Sequence, residues 1–278
     1  MIKNEVIIQG GLGNQIFGLF YAYKLLLKYE NQVSLNLGSY SRHKRVDRSF
    51  LLKDFYPQLE DEFKINSTII STFIYYYSKL FEKIFIKQKK YRLPGDNIFS
   101  INYWPNRYIH NGYFQKINNS VLDNKSINLL KKNYFHNLTK MKYNYLAIHI
   151  RRGDYLNKNS LMHGLIQEKY LFEEAKNQLK ENNFDGITIF TDSPNLVDIG
   201  IFKLLNKNIN IDIGGCPIQV LKRMANHKAL IASNSSFSLW AGILGDVKNF
   251  SIPYYWMKNV KSSILGLRNI KRYKCSIE

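Results

Sequence analysis

The chain has 278 residues, of which 45% are hydrophobic and 22% charged, and its formal net charge is +19. This length suffices for one large or two smaller domains, and the apolar content excludes a disordered chain. Two cysteines, Cys216 and Cys275, exclude a disulfide framework and lack the spacing of metal ligands, so we expect a reducing, cytoplasmic location.

The first half of the chain predicts an α/β domain. In chain order, the apolar spacing predicts a strand at 6–9, a helix at 14–29, a strand at 33–37, a basic loop at 42–48, further helices, a strand near 108–112 and a helix around 127–135. The polar interval 118–142 is expected to contain the crossing between two domains, which we place at 1–140 and 141–278.

The second half alternates more regularly between the two kinds of element. Strands are predicted at 145–150, 186–190, 209–213 and 229–232, and helices at 168–182, 195–201, 218–225 and 237–245. Such alternation is typical of a parallel, doubly wound sheet. Ligands of these sheets bind beyond the carboxyl ends of the strands.

A glycine-rich turn, "GGLGNQIF", follows the first predicted strand. Gly11 and Gly13 fit a dinucleotide fingerprint, but Ile16 occupies the place of its third glycine, and the Gly-Lys-Ser/Thr of a P-loop is also missing. The sequence therefore excludes both phosphate cradles. It leaves a tight turn with Asn14 and Gln15 at the start of a helix, which is either a simple connection or part of a ligand site.

Polar groups follow three strands of the second half. Arg151 and Arg152 leave the first of them and are either a surface charge pair or a diphosphate clamp. Asp192 either caps the next helix or accepts hydrogen bonds from a base or ribose. Ser235 and Ser236 open a helix, where they cap its first turn, bind an anion, or do both. Together these groups favour a nucleoside diphosphate site.

The strongly basic composition has two interpretations. The lysines are scattered and form no nucleic-acid-binding module, so we expect an anionic small molecule, such as a nucleotide sugar, in place of nucleic acid. No N-terminal signal peptide is expected, because Lys3, Asn4 and Glu5 interrupt the start of the chain.

The segment 68–91 combines apolar and basic residues. Lys79, Glu82 and Lys83 interrupt it, so it is too short to span a bilayer. It is either an interfacial helix at a membrane surface or a helix that packs on the core with solvated lysines.

Four ordered motifs carry a resemblance to a known family. "GGLGNQIF", "NGYFQ", "HIRRGDY" and "HKALIASNSSFSLWAGIL" together resemble the bacterial α-1,2-fucosyltransferases of glycosyltransferase family 11. The resemblance implies a GT-B architecture, with two Rossmann-like domains facing across a cleft and GDP-fucose on the C-terminal one. It implies inverting transfer of fucose to the 2-hydroxyl of a galactose in a surface glycan of O-antigen or capsule type, with no required metal or other cofactor.

The resemblance also assigns roles to residues of the C-terminal domain. Arg151 is expected on the diphosphate, with Arg152 supporting its loop or also contacting the donor. His149 and Asp192 are expected to face the guanosine, and the start of the last helix to donate to the phosphates through Ser235 and Ser236. Asp154 is either the catalytic base or a salt-bridge brace for the arginines.

In the N-terminal domain, the loop of Gly11, Gly13 and Gln15 is expected to close the donor site, and Asn14 to act on the fucose and acceptor. The expected acceptor is a galactose-containing oligosaccharide or a lipid-linked glycan, with peripheral contact to the inner face of a membrane. The alternative is a related glycosyltransferase with another linkage or another nucleotide-sugar donor.

Overall fold

The structure, a computed structural model, describes residues 3–29, 32–40, 49–86, 99–104, 107–118, 120–134, 142–156, 163–205, 207–267 and 269–277. The chain forms two compact units, Met1–Tyr134 with Ile264–Gly266, and Phe135–Ser263 with Leu267–Glu278. The boundary falls six residues before the predicted one at 140, and a three-residue segment near the end of the chain joins the first unit. The predicted basic loop at 42–48 lies outside the described residues.

The first unit contains a five-stranded sheet in the order β3-β2-β1-β5-β4, parallel except for β4, which pairs antiparallel with β5. Its strands are β1 (Lys3–Ile7), β2 (Val33–Asn36), β3 (Lys64–Asn66), β4 (Phe99–Trp104) and β5 (Arg107–Asn111). Its helices are α1 (Leu12–Tyr29), α2 (Leu52–Phe55), α3 (Leu59–Glu62), α4 (Ile69–Ile86) and α5 (Val121–Tyr134).

Burial of β1 and α1 explains why this part of the chain folds as predicted. Ile7 in the strand and Phe17 and Tyr23 in the helix are fully buried, so strand and helix share one core. The helix begins two residues earlier than expected, because the Gly11 carbonyl accepts hydrogen bonds from the backbone amides of Asn14 and Gln15.

The second unit contains a six-stranded parallel sheet in the order β13-β10-β9-β6-β7-β8. Its strands are β6 (Tyr143–Ile150), β7 (Gly186–Thr191), β8 (Asn208–Asp212), β9 (His227–Ile231), β10 (Asn249–Pro253) and β13 (Lys271–Tyr273). A separate antiparallel pair is made by β11 (Tyr255–Met257) and β12 (Val260–Lys261). The helices are α6 (Glu168–Glu181), α7 (Gly200–Lys203), α8 (Pro217–Ala225) and α9 (Ser236–Leu244).

The register of the central strands brings three strand ends together. Ile150 at the end of β6 lies opposite Thr191 at the end of β7, and Ile148 lies opposite Ile231 at the end of β9. The loops that leave β6, β7 and β9 therefore start side by side at one edge of the sheet, as the rule for ligand sites in parallel sheets requires.

The predicted α/β class is confirmed, since each unit is a mainly parallel sheet with helices between its strands. The arrangement of the units across a cleft stays a prediction. The first strand begins three residues earlier than predicted, and α5 begins at Val121 instead of near residue 127. The helix expected at 195–201 is instead a 3-10 turn at Pro194–Leu196 followed by the single turn of α7. Gly200 lies inside the predicted helix and lowers its helical propensity, which favours two short turns over one helix.

Candidate functional site

Arg151 lies at the carboxyl end of β6 and points toward the loop that follows β7. Its Nη1 atom is 2.7 Å from Asp192 Oδ2, and its guanidinium carbon lies 5.9 Å from the centroid of the Tyr155 ring. The side chain keeps 30% of its surface exposed. A guanidinium held in this way is already oriented before a ligand arrives and needs little ordering to bind an anion.

Asp192 holds the arginine loop in place. Its Oδ1 atom accepts hydrogen bonds from the backbone amides of Arg152, at 3.1 Å, and Gly153, at 3.3 Å. A β-carbon at Gly153 would lie only 2.3 Å from Asp192 Oδ2, so glycine is required for this close approach. The sequence suggested a guanosine contact or a helix cap for Asp192, whereas the structure engages its carboxylate with the arginine loop.

Arg152 is buried and has a different environment from its neighbour. Its guanidinium donates to the carbonyls of Arg151, at 2.9 Å, and Ile166, at 3.0 Å, and forms an ion pair with Glu168, at 2.6 Å. These bonds tie the loop after β6 to the beginning of α6. Of its two expected roles, this geometry favours support of the loop over contact with the donor. Sequence reasoning missed Glu168, which lies outside the four motifs that carry the family resemblance.

The loop after β9 joins the same cluster through Tyr155 and His163 of the loop after β6. The Tyr155 hydroxyl donates to the Asn234 carbonyl at 2.9 Å, and its ring stacks on His163 with centroids 5.1 Å apart. The Asn234 side chain in turn donates to the carbonyls of His163 and Gly164. Sequence reasoning gave these residues no role, because each is meaningful only once the loops after β6 and β9 are known to be neighbours.

The beginning of α9 lies at the carboxyl end of β9. Ser235 is its N-cap and accepts a hydrogen bond from the Phe237 amide at 3.3 Å, and Ser236 is its first residue. The capping role is thus confirmed. Anion binding by the same helix start stays a prediction, and the positive end of the helix dipole favours it.

His149 is buried beside this helix start. Its Nδ1 atom lies 2.7 Å from Ser233 Oγ, and its ring is 6.1 Å from the Phe237 ring. Burial, with a smaller effect of the nearby Arg151 charge, lowers the pKa of His149 to about 3. The imidazole is therefore neutral at neutral pH, and it orients the Ser233 hydroxyl.

Asp154 belongs to the 3-10 turn Gly153–Leu156, directly after the arginine pair. Its side chain lies outside the described part of the structure. Its two expected roles, as base and as brace, therefore both stay predictions, although Asp192 already braces Arg151.

The first unit places the glycine turn at the carboxyl end of β1. Gly11 precedes α1, and space remains open where a β-carbon on it would point, whereas Gly13 is buried in the first turn of the helix. Asn14 Oδ1 accepts a hydrogen bond from Gln115 Nε2 at 2.9 Å. The structure thus brings "GGLGNQIF" and "NGYFQ" together, as their shared position after neighbouring strands suggests.

Gln15 is fully buried, and both polar atoms of its side-chain amide form hydrogen bonds. Its Nε2 atom donates to the carbonyls of Gly10, at 3.0 Å, and Ser49, at 2.9 Å, and its Oε1 atom accepts from the Leu51 amide at 2.9 Å. We expected Gln15 to present its amide to the donor. The geometry favours another role, in which Gln15 holds the chain around residue 50 against the glycine turn.

A cavity of about 610 Å³ lies on one face of the second sheet. Its wall includes the Asp212–Arg223 pair, joined at 2.6 Å, and the buried His227 with Thr188 at 3.0 Å. None of the residues predicted from the sequence lines it. Its lining comes from β6, β7, β8, α8 and the first residue of β9, so it depends on elements that are distant along the chain.

Three comparisons bear on identity. The family model described as "Glycosyl transferase family 11" matches residues 3–261. An α-1,2-colitosyltransferase of Escherichia coli is 24% identical over 261 residues, which are 88% of this chain and 87% of that protein.

Solved structures of other glycosyltransferases are similar at a lower level. The fucosyltransferase NodZ from Bradyrhizobium is 12% identical with a TM-score of 0.45, over 87% of this chain and 93% of that one. The heptosyltransferase WaaC of E. coli, solved with ADP, is 8% identical with a TM-score of 0.44, over 98% and 93%.

Proposed function

Since the chain belongs to glycosyl transferase family 11, we propose that this glycosyltransferase moves fucose from GDP-fucose to the 2-hydroxyl of a galactose in a surface glycan. The observation that carries the proposal is the fixed, partly exposed guanidinium of Arg151, at the end of the strand adjacent to β9 and α9. This arrangement suits a ligand with two phosphates.

The proposed chemistry is a single displacement. The acceptor hydroxyl attacks the anomeric carbon of fucose as the bond to the GDP oxygen breaks, and the configuration inverts. The transition state resembles an oxocarbenium ion, so stabilising the departing diphosphate lowers the barrier. Arg151 and the start of α9 supply positive charge at that point, and we propose that no metal is needed, so that activity persists in a chelator.

The acceptor proton needs a destination as the new bond forms. Asp154 is the carboxylate nearest in sequence to the arginine pair and remains our candidate for the base. We assign the acceptor side to the first unit, where the Asn14–Gln115 amide pair presents groups suited to sugar hydroxyls. The acceptor that we propose is a galactoside, free or lipid-linked.

A donor panel tests the proposal. The purified chain is incubated with a galactoside and, in turn, GDP-fucose, GDP-mannose and a UDP-sugar, and the product linkage and anomeric configuration are determined by NMR. We expect transfer from GDP-fucose alone, with an α-1,2 linkage. Transfer from the UDP-sugar without transfer from GDP-fucose would overturn the donor assignment, and another linkage would overturn the acceptor position.

A second candidate donor is a colitosyl nucleotide, because the E. coli relative is a colitosyltransferase. Colitose is fucose without its 3-hydroxyl. A site that hydrogen-bonds this hydroxyl discriminates by about 10⁴-fold or more against the deoxy sugar, whereas an apolar site discriminates by far less. The ratio of kcat/KM for the two GDP-sugars therefore decides between them.

A further inference from the structure

Helix α4 of the first unit exposes an unusually apolar surface. Its outward side chains recur at helical spacing and form one stripe: Ile69, Ile70, Phe73, Tyr76, Tyr77 and Leu80. The exposed fractions of Ile69, Ile70 and Phe73 are 77%, 69% and 70%. Single exposed apolar residues are common on soluble proteins, but a continuous stripe marks an interaction surface.

The opposite face of α4 is the one that packs, and it is small and polar. Ser71, Thr72 and Ser78 are buried there, and Ser78 Oγ accepts a hydrogen bond from Asn111 at 3.2 Å. Gly38 begins the short turn Gly38–Tyr40 that follows β2. A β-carbon on Gly38 would lie 2.2 Å from the Ser71 carbonyl oxygen, so the backbone of α4 packs directly against the backbone of this turn. Tyr75, with Ile74 beside it, adds an apolar contact to Ile7 and Ile109.

The distribution of the two faces is therefore the reverse of that in an ordinary surface helix, which buries its apolar side. The described contacts of α4 with the sheet come from the face of Ser71, Tyr75 and Ser78. The exposure of the apolar stripe to water has an unfavourable free energy that binding would remove.

We propose that the apolar stripe of α4 docks on the surface of an anionic lipid bilayer, with the helix lying in the interface. Two tyrosines, which suit the boundary between lipid and water, belong to the stripe, and Lys79 lies at its side. By sequence, Lys87, Lys89, Lys90 and Arg92 follow the helix directly. A segment in which an apolar helix is followed in sequence by basic residues has the composition that binds anionic lipid.

The overall charge argues against a second copy of the chain as the occupant. Each copy carries a formal charge of +19, so two copies repel one another, whereas an anionic bilayer attracts each of them. Among the described residues, no helix is long and apolar enough to cross a membrane. The proposal is accordingly a peripheral contact, independent of the sugar donor.

Vesicle flotation tests the proposal without any sugar substrate. The full chain is mixed with vesicles of phosphatidylcholine alone or of equal parts phosphatidylcholine and phosphatidylglycerol. The test variant is Ile70→Gln with Phe73→Gln. The control is Val121→Gln with Leu204→Gln, which removes two apolar side chains of similar exposure, 71% and 72%, from other surfaces.

We expect the wild type to float with the anionic vesicles, less so in high salt, and the control to do the same. The stripe variant should bind at least about tenfold more weakly, because each inserted side chain contributes favourable transfer free energy. Unchanged melting temperatures establish that both variants are folded.

Three results would overturn the proposal. The first is that the wild type does not float with the vesicles, and the second is that the stripe variant and the control lose equal amounts of vesicle binding. The third is that the wild type binds no vesicle but sediments as a dimer, and that the stripe variant sediments as a monomer while the control does not. Fucosyl transfer measured separately with a soluble acceptor keeps this outcome distinct from the fate of the proposed activity.

Discussion

At the carboxyl end of β1 in the first unit, the side chains that meet are amides, whereas at the carboxyl ends of β6 and β7 in the second unit they are a guanidinium and a carboxylate. Asn14 and Gln115 bond to each other, and Gln15 bonds to backbone. Arg151 and Asp192 form an ion pair that stays partly open to solvent.

This difference teaches which sheet is suited to a charged ligand. Amides bonded in this way recognise neutral hydroxyls, because they carry no net charge to offset a phosphate. A partly exposed arginine beside a helix start offers charge and directed donors together. The two sheets differ in strand order, and the residues at their strand ends differ in charge.

The largest effect that would sharpen this contrast is expected from Arg151→Ala. Loss of the guanidinium should lower kcat/KM by about 10²- to 10³-fold and abolish the rise in melting temperature caused by GDP, since one charge-stabilising donor has an effect of this size. Arg151→Lys should retain part of both. Lys203→Ala removes an equal charge elsewhere and should change neither. A GDP response in Arg151→Ala equal to that of the wild type would contradict the assignment.

Glu168→Ala tests whether the second arginine is structural. Buried Arg152 would lose its carboxylate partner, so the free energy of unfolding should fall by about 3 kcal/mol. Thermal unfolding measures this, and Glu173→Ala, on the exposed side of the same helix, is the control. If both variants have the melting temperature of the wild type, Arg152 does not support the loop.

The pH dependence of stability tests the buried histidine. Folded His149 stays neutral down to about pH 3, whereas the unfolded chain protonates it below about pH 6.5. The unfolded state therefore binds more protons in this window, and stability falls as the pH drops below 6.5, by about 2 kcal/mol at pH 5 for this residue alone.

The comparison of His149→Asn with the wild type isolates that contribution. Its melting temperature should vary less steeply between pH 7 and 5, because no imidazole remains to titrate. His163→Asn, at a half-buried ring, provides the control. An unchanged slope in His149→Asn would show that burial does not hold this histidine neutral.

The smallest effect is expected at the amide pair of the first unit. Asn14→Ala should lower transfer about tenfold, the size of one lost hydrogen bond, while the GDP-induced rise in melting temperature stays unchanged. Asn124→Ala, on an exposed helix face, serves as the control. Equal losses of transfer and GDP binding would assign the glycine turn to the phosphates and remove the contrast between the two sheets.

Several features of this protein could be predicted from sequence because they depend on neighbours along the chain. The strand-helix alternation gave every strand of the second sheet up to β9 within two residues, and Ser235 was correctly expected as a helix cap. The segment 195–201 differed from its prediction, since its residues suggested one helix, whereas it forms a 3-10 turn and the single turn of α7.

The partners of Asp192 and Arg152 could not be predicted in this way. Asp192 lies 41 residues from Arg151 along the chain, and Glu168 lies 16 from Arg152, by the sequence numbering. Which carboxylate meets which guanidinium depends on the order in which the sheet places β7 beside β6 and on the packing of the beginning of α6 against the loop after β6. The resemblance located the arginines without supplying this order.

The sequence alone determined the family, the alternation of elements and the arginine motif, because these depend on local pattern and on motifs read in order. Only the tertiary structure decided that Asp192 holds the arginine loop and that α4 turns its apolar side outward. The sequence of α4 allows either face to be buried. The contact between the Ser71 backbone and Gly38 and the hydrogen bond from Asn111 to Ser78 hold the face that carries Ser71, Tyr75 and Ser78 against the first unit.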